Sequence, residues 1–454
     1  MKPFYTVLIN ALAGSLTNTF VWFAVTFWVY LETRSVVATS VMAGVFTLTT
    51  AGSGFFLGSL VDRYPKTTAM LLSSVASLVL YSLAGIVYVA TPRDVFADPS
   101  SLPLLGFIVL TLVGAIVGNV RTIALSTLVT VLVPESGRDK ANGLVGTANG
   151  VAFFIASIFS GLVIGVLGMG WMLAAAVGLT ALVIGHLLTL SIPTRPSLQV
   201  VGVEAAGAGA GGVNTGIDLA GTIGIFRAVP GLGALLLFQT FNNFLGGVFM
   251  ALMDAYGLSL VSVEVWGAIF GVLSLGFIVG GLVVARVGLG PNPLRTLFLV
   301  NLVLWTVCIL FPLQASIVPL TIGMAIWLCL IPAAEAAEQT ILQKLIPVER
   351  QGRVFGFAQS VEQAAAPITA FLVGPLTQLV FIPFMTSGAG VDLLGGWFGT
   401  GADRGIALVF IVAGFLGLAA TLVALRSGAY RRLTARYQAP AAPVAVDVEP
   451  AVAA

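Results

Sequence analysis

The sequence predicts an all-α polytopic membrane protein with twelve transmembrane helices in two six-helix bundles. Three observations carry that expectation: a charge-poor composition, twelve apolar stretches long enough to cross a bilayer, and a segregation of basic residues that demands an even number of crossings. The 454 residues include 20 Lys and Arg and 18 Asp and Glu, 8% of the chain, while 58% are hydrophobic and 53 are Gly. A soluble domain carries about 25% charged residues, so too few charges exist here to cover a water-facing surface. The composition excludes disordered chains and secreted disulfide scaffolds, and a formal net charge of +2 excludes nucleic-acid binders, which need a basic stripe along the phosphates. Cys308 and Cys329 lie in apolar runs without a CxxC pair, which makes them small hydrophobes rather than metal or redox groups.

A helix needs about 20 apolar residues to cross a ~30 Å hydrocarbon core. Division of the chain at its charges, prolines and turn residues places the spans at residues 4–31, 38–61, 67–90, 103–132, 141–167, 170–192, 229–256, 263–286, 293–312, 316–346, 352–380 and 405–427. The first stretch is longer than the apolar core of a signal peptide and no small-residue cleavage site follows it, so it is expected to stay. With the N-terminus inside, the cytoplasmic segments hold sixteen basic residues, from Lys2, Arg63 and Lys66 through Arg350 and Arg353 to Arg436, against Arg34, Arg93 and Arg404 outside. That asymmetry predicts a multi-pass protein of the cell (inner) membrane with both termini cytoplasmic. Only Arg121 falls mid-membrane.

Residues 193–228 form the longest inside loop, and the Gly-, Ala- and Val-rich run within it reads as a flexible linker. The chain is thus divided into an N-terminal bundle (1–192), a cytoplasmic linker (193–228), a C-terminal bundle (229–430) and a disordered cytoplasmic tail (431–454). A shift of 213 residues lays Val133-Pro134, Lys140, Gly143 and Leu144 over Ile346-Pro347, Arg353, Gly356 and Phe357 without gaps. Parallel repeats of six-helix units, related by an axis along the membrane normal, are a transporter plan with the substrate near midplane between the repeats.

The loop after span two, Gly58-Ser59-Leu60-Val61-Asp62-Arg63-Tyr64-Pro65-Lys66, resembles the G-x-L-x-D-R-x-G-R/K signature of the major facilitator superfamily, with Pro65 in place of Gly. Its counterpart in the second half, Gly281 to Gly288, keeps Arg286 but has Ala285 at the Asp position. The run Ile346 to Gly356 resembles the matching loop of the drug and siderophore exporter branch, which holds macrolide efflux and enterobactin export proteins. The resemblance covers residues 5 to 430 and implies the major facilitator fold, its two bundles related by a pseudo-twofold axis. It also implies a gating role for Gly58, Asp62, Arg63, Lys66 and Arg353. Asp62 would approach the positive N-terminal end of span eleven near Gly352 and hold the inner side shut, an interaction of ~0.3–2 kcal/mol.

Ionisable side chains at bilayer depth cost at least ~2.5 kcal/mol and mostly face a bundle interior or a wet cavity. At ~1.5 Å per residue, Arg121 lies about 20 Å from the inner end of span four, and Glu335 and Glu338 about 18 and 14 Å from that of span ten. Asn18, Gln239, Asn242 and Asn243 fall at similar depth, and Glu335, Glu338 and Gln339 share a helix face. The resemblance implies that spans one, four, seven and ten line a central cavity. These groups would then form a polar ring there among Trp22, Phe23, Phe27, Phe238, Phe241 and Trp327. That mixture suits an amphipathic or lipophilic small molecule with a few hydrogen-bonding groups.

Two buried acids side by side can take up and release protons, so Glu335 and Glu338 are candidates for proton coupling. The alternatives are a structural pair with Arg121, or for Glu338 and Lys344 an acid and a base near the inner mouth. Glu362 is a second proton site or an interdomain hydrogen bond, and His186 is interfacial. Ala366-Pro367 and Gly374-Pro375 are expected to break span eleven. Residues 380–404 are expected to form a short interfacial segment with Trp397 and Phe398 at headgroup level.

The expected function is proton-coupled export of amphipathic or lipophilic small molecules by alternating access, by a monomer that engages protons, its substrate and the bilayer, with no nucleic acid, metal or cofactor. A lipid or lipophilic-metabolite flippase and a facilitative uptake carrier use the same fold. A channel or non-transporting scaffold fits the duplicated halves less well, and the chain offers no HExxH, GxSxG or P-loop pattern for an enzyme.

Overall fold

A computed structural model describes residues 2–33, 36–190 and 219–439. Twelve helices in it are long and apolar enough to span a membrane: Pro3–Thr33, Gly44–Arg63, Lys66–Ala90, Leu102–Leu132, Glu135–Val166, Met169–Leu188, Leu232–Leu260, Val265–Val287, Pro293–Leu313, Ile317–Leu345, Val348–Thr386 and Ala402–Arg426. The all-helical, twelve-span expectation holds. In a bilayer only a helix or a closed barrel satisfies every backbone group internally, and the outward faces of these helices are correspondingly apolar, with Val89, Leu182, Val287 and Val423 exposed. Several helices begin directly after a proline, among them Lys66–Ala90 after Pro65 and Val348–Leu376 after Pro347. Proline has no N–H to leave unpaired at a helix start and its φ is already fixed.

The buried core shows how the halves meet. At the end that carries Phe4 and Leu433 one cluster contains residues of both halves, including Val61 and Leu128 from the first and Leu342 and Phe355 from the second. At the opposite end the core divides. Trp28, Phe96, Phe107 and Met172 pack within the first half, and Tyr256, Trp305, Phe311 and Phe410 within the second. Among the described residues, dispersion and exclusion of solvent therefore join the halves at the terminus-bearing end.

Span four crosses as expected, Leu102–Leu132, with a turn at Gly118 and Asn119 between Leu102–Val117 and Val120–Leu132, where Gly118 lies against the Asn18 amide. Several local expectations need correction. Span eleven is not broken at its prolines: the helix continues through Pro367 and Pro375 to Leu376 and passes into a wider turn at Thr377–Phe381 before Ile382–Thr386. The missing proline N–H is absorbed by that local change of winding. Residues 389–398 form a helix, Ala389–Phe398. Trp397 is exposed as expected, but Phe398 is buried under the Arg404 guanidinium, 4.2 Å from its ring centre. Helix Gly428–Gln438 occupies residues 431–438 of the expected disordered tail, held by Leu433 and by Tyr430 against Phe298. Helix Leu219–Ala228 takes up the end of the expected linker, while 191–218 and 440–454 lie outside the described residues.

Candidate substrate chamber and terminal latch

Between the halves lies a chamber of about 360 Å³. Span four contributes Thr122 and Ser126, span five Asn142 and Asn149, span seven Gln239 and Asn243, span ten Glu335, Glu338 and Gln339, and span eleven Gln359, Glu362 and Gln363. The wall holds three carboxyl groups, seven amides and no basic residue. Gln239 Nε2 donates to Glu338 Oε2 at 2.6 Å, and Glu362 lines the same wall. Glu362 Oε1 and Gln339 Oε1 are buried without a partner. None of the three acids is in a salt bridge among the described residues; the nearby Lys344 pairs instead with Glu135 at 2.7 Å. Neither alternative to proton coupling, a salt bridge of these acids to Arg121 or a Glu338–Lys344 pair, is present among the described residues.

The predicted polar ring is only partly assembled. Gln239, Asn243, Glu335, Glu338, Gln339 and Glu362 come together, but Arg121 does not join them. Its guanidinium turns into the first half, donating to Asn10 Oδ1 and O and to Ser74 Oγ. Asn10 Nδ2 in turn donates to Val183 O and to His186 Nδ1, at 2.9 and 3.1 Å. Asn18 also stays in the first half, its Oδ1 accepting from Tyr81 Oη at 3.0 Å. Trp22 stacks on Phe46 at 4.1 Å. Asn242 Oδ1 accepts from Trp305 Nε1 at 2.8 Å inside the second half, and Trp327 packs on Phe249 and lines a separate pocket. The expected facing of Arg121 and Glu335 across one cavity is incorrect: Thr122, the next residue, holds that face.

The gating group assembles as expected in geometry. Asp62 Oδ1 accepts from the Gly352 N–H at 2.7 Å, and Oδ2 from the Arg353 N–H and Nε at 2.9 and 3.1 Å. Lys66 Nζ lies 3.8 Å from Asp62 Oδ1 and donates to Val61 O at 2.6 Å. Arg63 takes no part in that contact and stands 5.8 Å from the Tyr64 ring. The approach depends on missing side chains: a Cβ on Gly58 would run into the Gly352 carbonyl, and one on Gly356 into the Gly54 carbonyl. Gly54-x3-Gly58 against Gly352-x3-Gly356 is the small-residue pattern by which membrane helices approach closely, and the sequence carried it in plain view.

A second polar cluster, not singled out from the sequence, seals the chamber floor. Asn142 Nδ2 donates to Gln343 Oε1 and to Thr340 Oγ1, both at 2.9 Å, and Gln343 Nε2 donates to Ser126 O at 3.0 Å. Arg138 and Gln351 both donate to the Gln343 carbonyl. Amides are scarce in apolar spans, and that scarcity was the available signal for Asn142 and Gln343.

Two six-helix bundles, joined at one end and parted at the other around a polar chamber, are the architecture of a secondary transporter. The Major Facilitator Superfamily profile matches residues 7–370, and the chain belongs to that superfamily. Three solved structures share the fold. The human organic anion transporter MFSD10 (TETRAN) aligns at TM-score 0.64 and 14% identity, over 91% of this chain and 99% of that one. A bacterial homologue of the iron transporter ferroportin, in an outward-facing state, aligns at 0.65 and 15%, over 94% and 100%. The proton:xylose symporter XylE, bound to 6-bromo-6-deoxy-D-glucose, aligns at 0.58 and 14%, over 92% and 94%. Among curated proteins none matches the chain.

Proposed function

We propose that this protein is a proton-coupled exporter of small molecules, of the drug or siderophore class, that works as a monomer in the inner membrane with both termini in the cytoplasm. The reading rests on one observation above all: three carboxyl side chains share a chamber between the halves with no basic residue to neutralise them. Buried acids that share one site without a counter-ion are held there most favourably with a proton among them. The site is thus arranged to hold a proton in the conformation closed at the terminus-bearing end. Charges left bare at this depth cost several kcal/mol each, so the empty chamber favours protonated acids and a bound partner favours their release. Segregation of basic residues to the terminus-bearing end supports the orientation. The two halves flanking residues 191–218 act as the rocking units, and Asp62, Lys66, Arg353 and Gly58 as the latch.

The test is dye efflux from cells expressing the protein, with cationic, zwitterionic, neutral and anionic dyes in parallel. At least one dye is expected to be expelled, and its retention to rise when a protonophore collapses the gradient. Glu335→Gln and Glu338→Gln should each uncouple that efflux while the protein still reaches the membrane. No gradient-dependent efflux of any dye, or full coupling in both variants, overturns the proposal.

A further inference from the structure

Arg404 is the third residue of the last span, Ala402–Arg426, at the end of the C-terminal half away from the latch, and it is 2% exposed. Its Nη2 donates to the Pro312 carbonyl, and the centre of the Phe398 ring lies 4.2 Å from its Cζ. A guanidinium carries five N–H donors, and the three on Nε and Nη1 meet no acceptor. The hydroxyl of Tyr256, a wholly buried residue of span seven, is likewise without a partner. Arg404 and Asp403 are the charged groups whose field reaches that hydroxyl. The rings of Tyr256, Phe311 and Phe410 pack within 6.3 Å of one another, and Pro312 follows Phe311. The unmatched donors of Arg404 and Tyr256 therefore share one aromatic niche.

No side chain balances the positive charge there. Arg404 forms no salt bridge among the described residues. Asp403 is its neighbour on the helix, where consecutive side chains point about 100° apart, and its Oδ1 lies against Gly401. Asp254, two residues before Tyr256, accepts instead from Trp266 Nε1 at 3.0 Å. A cation taken out of water is costly unless it is paired and hydrogen-bonded. One carbonyl and one ring face offset only part of that cost.

A water molecule would bring donors of its own, for which the surrounding rings offer no acceptor, and would add no charge. An anion accepts from every unmatched donor and cancels the charge. The walls select its kind. Ring edges carry partial positive charge, and the first turn of the last span turns the positive end of its dipole to the same place. Packing is close, since a Cβ on Gly399 would meet Arg404 Cδ at 3.2 Å. A carboxylate or phosphate would add atoms that such packing does not admit, whereas a monatomic ion accepts hydrogen bonds from any direction.

We propose that Arg404 Nε and Nη1 and Tyr256 Oη together hold one chloride ion. The ion ties span seven to span twelve and, through the Arg404–Phe398 stack, seats the Ala389–Phe398 helix on the end of the second half. It is a resident of that half and takes no part in exchange at the carboxylate chamber.

The purified full-length protein, exchanged between chloride and gluconate salts at one ionic strength, provides the test. Retained radioactive chloride and the thermal unfolding midpoint are the readouts. Wild type is expected to retain one chloride per chain and to unfold at least about 2 °C higher in chloride than in gluconate, with bromide acting like chloride. Tyr256→Phe removes one donor and keeps the ring, so it should need at least about tenfold more chloride for the same shift, ~1.4 kcal/mol. Arg404→Gln should retain no chloride and unfold at one temperature in both salts; should it fail to fold, Tyr256→Phe alone decides. No retained chloride and equal midpoints in wild type overturn the proposal and leave water as the partner of these donors. A retained ion whose affinity is unchanged in Tyr256→Phe overturns its placement.

Discussion

The two seams between the bundles are built on the same plan and fastened differently. Spans two and eleven meet through Gly54, Gly58, Gly352 and Gly356, and spans five and eight through Gly143, Gly150 and Gly281, where a Cβ on Gly143 would sit 2.6 Å from the Ala285 nitrogen. At the first seam Asp62 accepts three N–H groups from span eleven. At the second the corresponding acid is absent, since Ala285 stands there. Asp139, at the start of span five, instead reaches across and accepts from the Leu289 N–H at 2.9 Å. Gly288 makes room for it: its φ of 81° suits glycine, and a Cβ there would lie 2.5 Å from Asp139 Oδ2. The second seam thus carries its acid on the opposite helix, with one cross-seam donor in place of three.

That contrast can be broken or sharpened by substitution, with closure read from the distance between spin labels at Thr68 and Arg350. Gly58→Leu should have the largest effect. Overpacking costs about 1–3 kcal/mol or more, here against backbone that cannot yield, so the closed population should collapse and transport fall to background; retention of the short distance would show that the glycine contact is dispensable. Asp62→Asn comes next. Hydrogen bonds to a charged group contribute about 1.5–3 kcal/mol, so the closed-to-open ratio should fall roughly ten- to hundredfold while expression persists. Asp139→Asn weakens a single cross-seam contact and should shift the ratio about tenfold, the low end of the same range. If Asp139→Asn opens the seam as far as Asp62→Asn, the two fastenings are equal and the contrast is wrong.

The smallest effect concerns the helix after span twelve. Burial, with Glu135 and Asp139 nearby, pushes the Tyr437 phenol up to about 12, and Lys344 sits 4.5 Å from its ring centre. A folded-state value raised above the ordinary ~10 means that stability from the neutral phenol is complete below about pH 10 and is lost as pH rises through about 12. Phenolate absorbance of wild type minus Tyr437→Phe should show that late titration, and an ordinary titration midpoint would place Tyr437 outside the seam.

The spans and the Asp62 contact were legible because length, hydropathy and a nine-residue loop determine them locally. The chamber was half legible. Depth along a helix follows from counting residues, but direction around it turns by about 100° per residue, and Arg121 and Thr122 differ by that one step. Span four turns at Gly118 and Asn119, where Gly118 lies against Asn18, on a helix about a hundred residues earlier in the sequence. No periodicity in span four encodes that meeting. Asn142 and Gln343 escaped notice for a related reason: each is an isolated amide until folding makes it the other's partner.

Both acids that fasten the seams, Asp62 and Asp139, belong to the first bundle, and both sets of N–H groups they grip belong to the second. The two halves are related as plug and socket. Two first bundles brought face to face would oppose carboxylate to carboxylate, and two second bundles would offer donors with nothing to receive them. Of the three pairings, only the mixed one matches acceptors to donors at both seams.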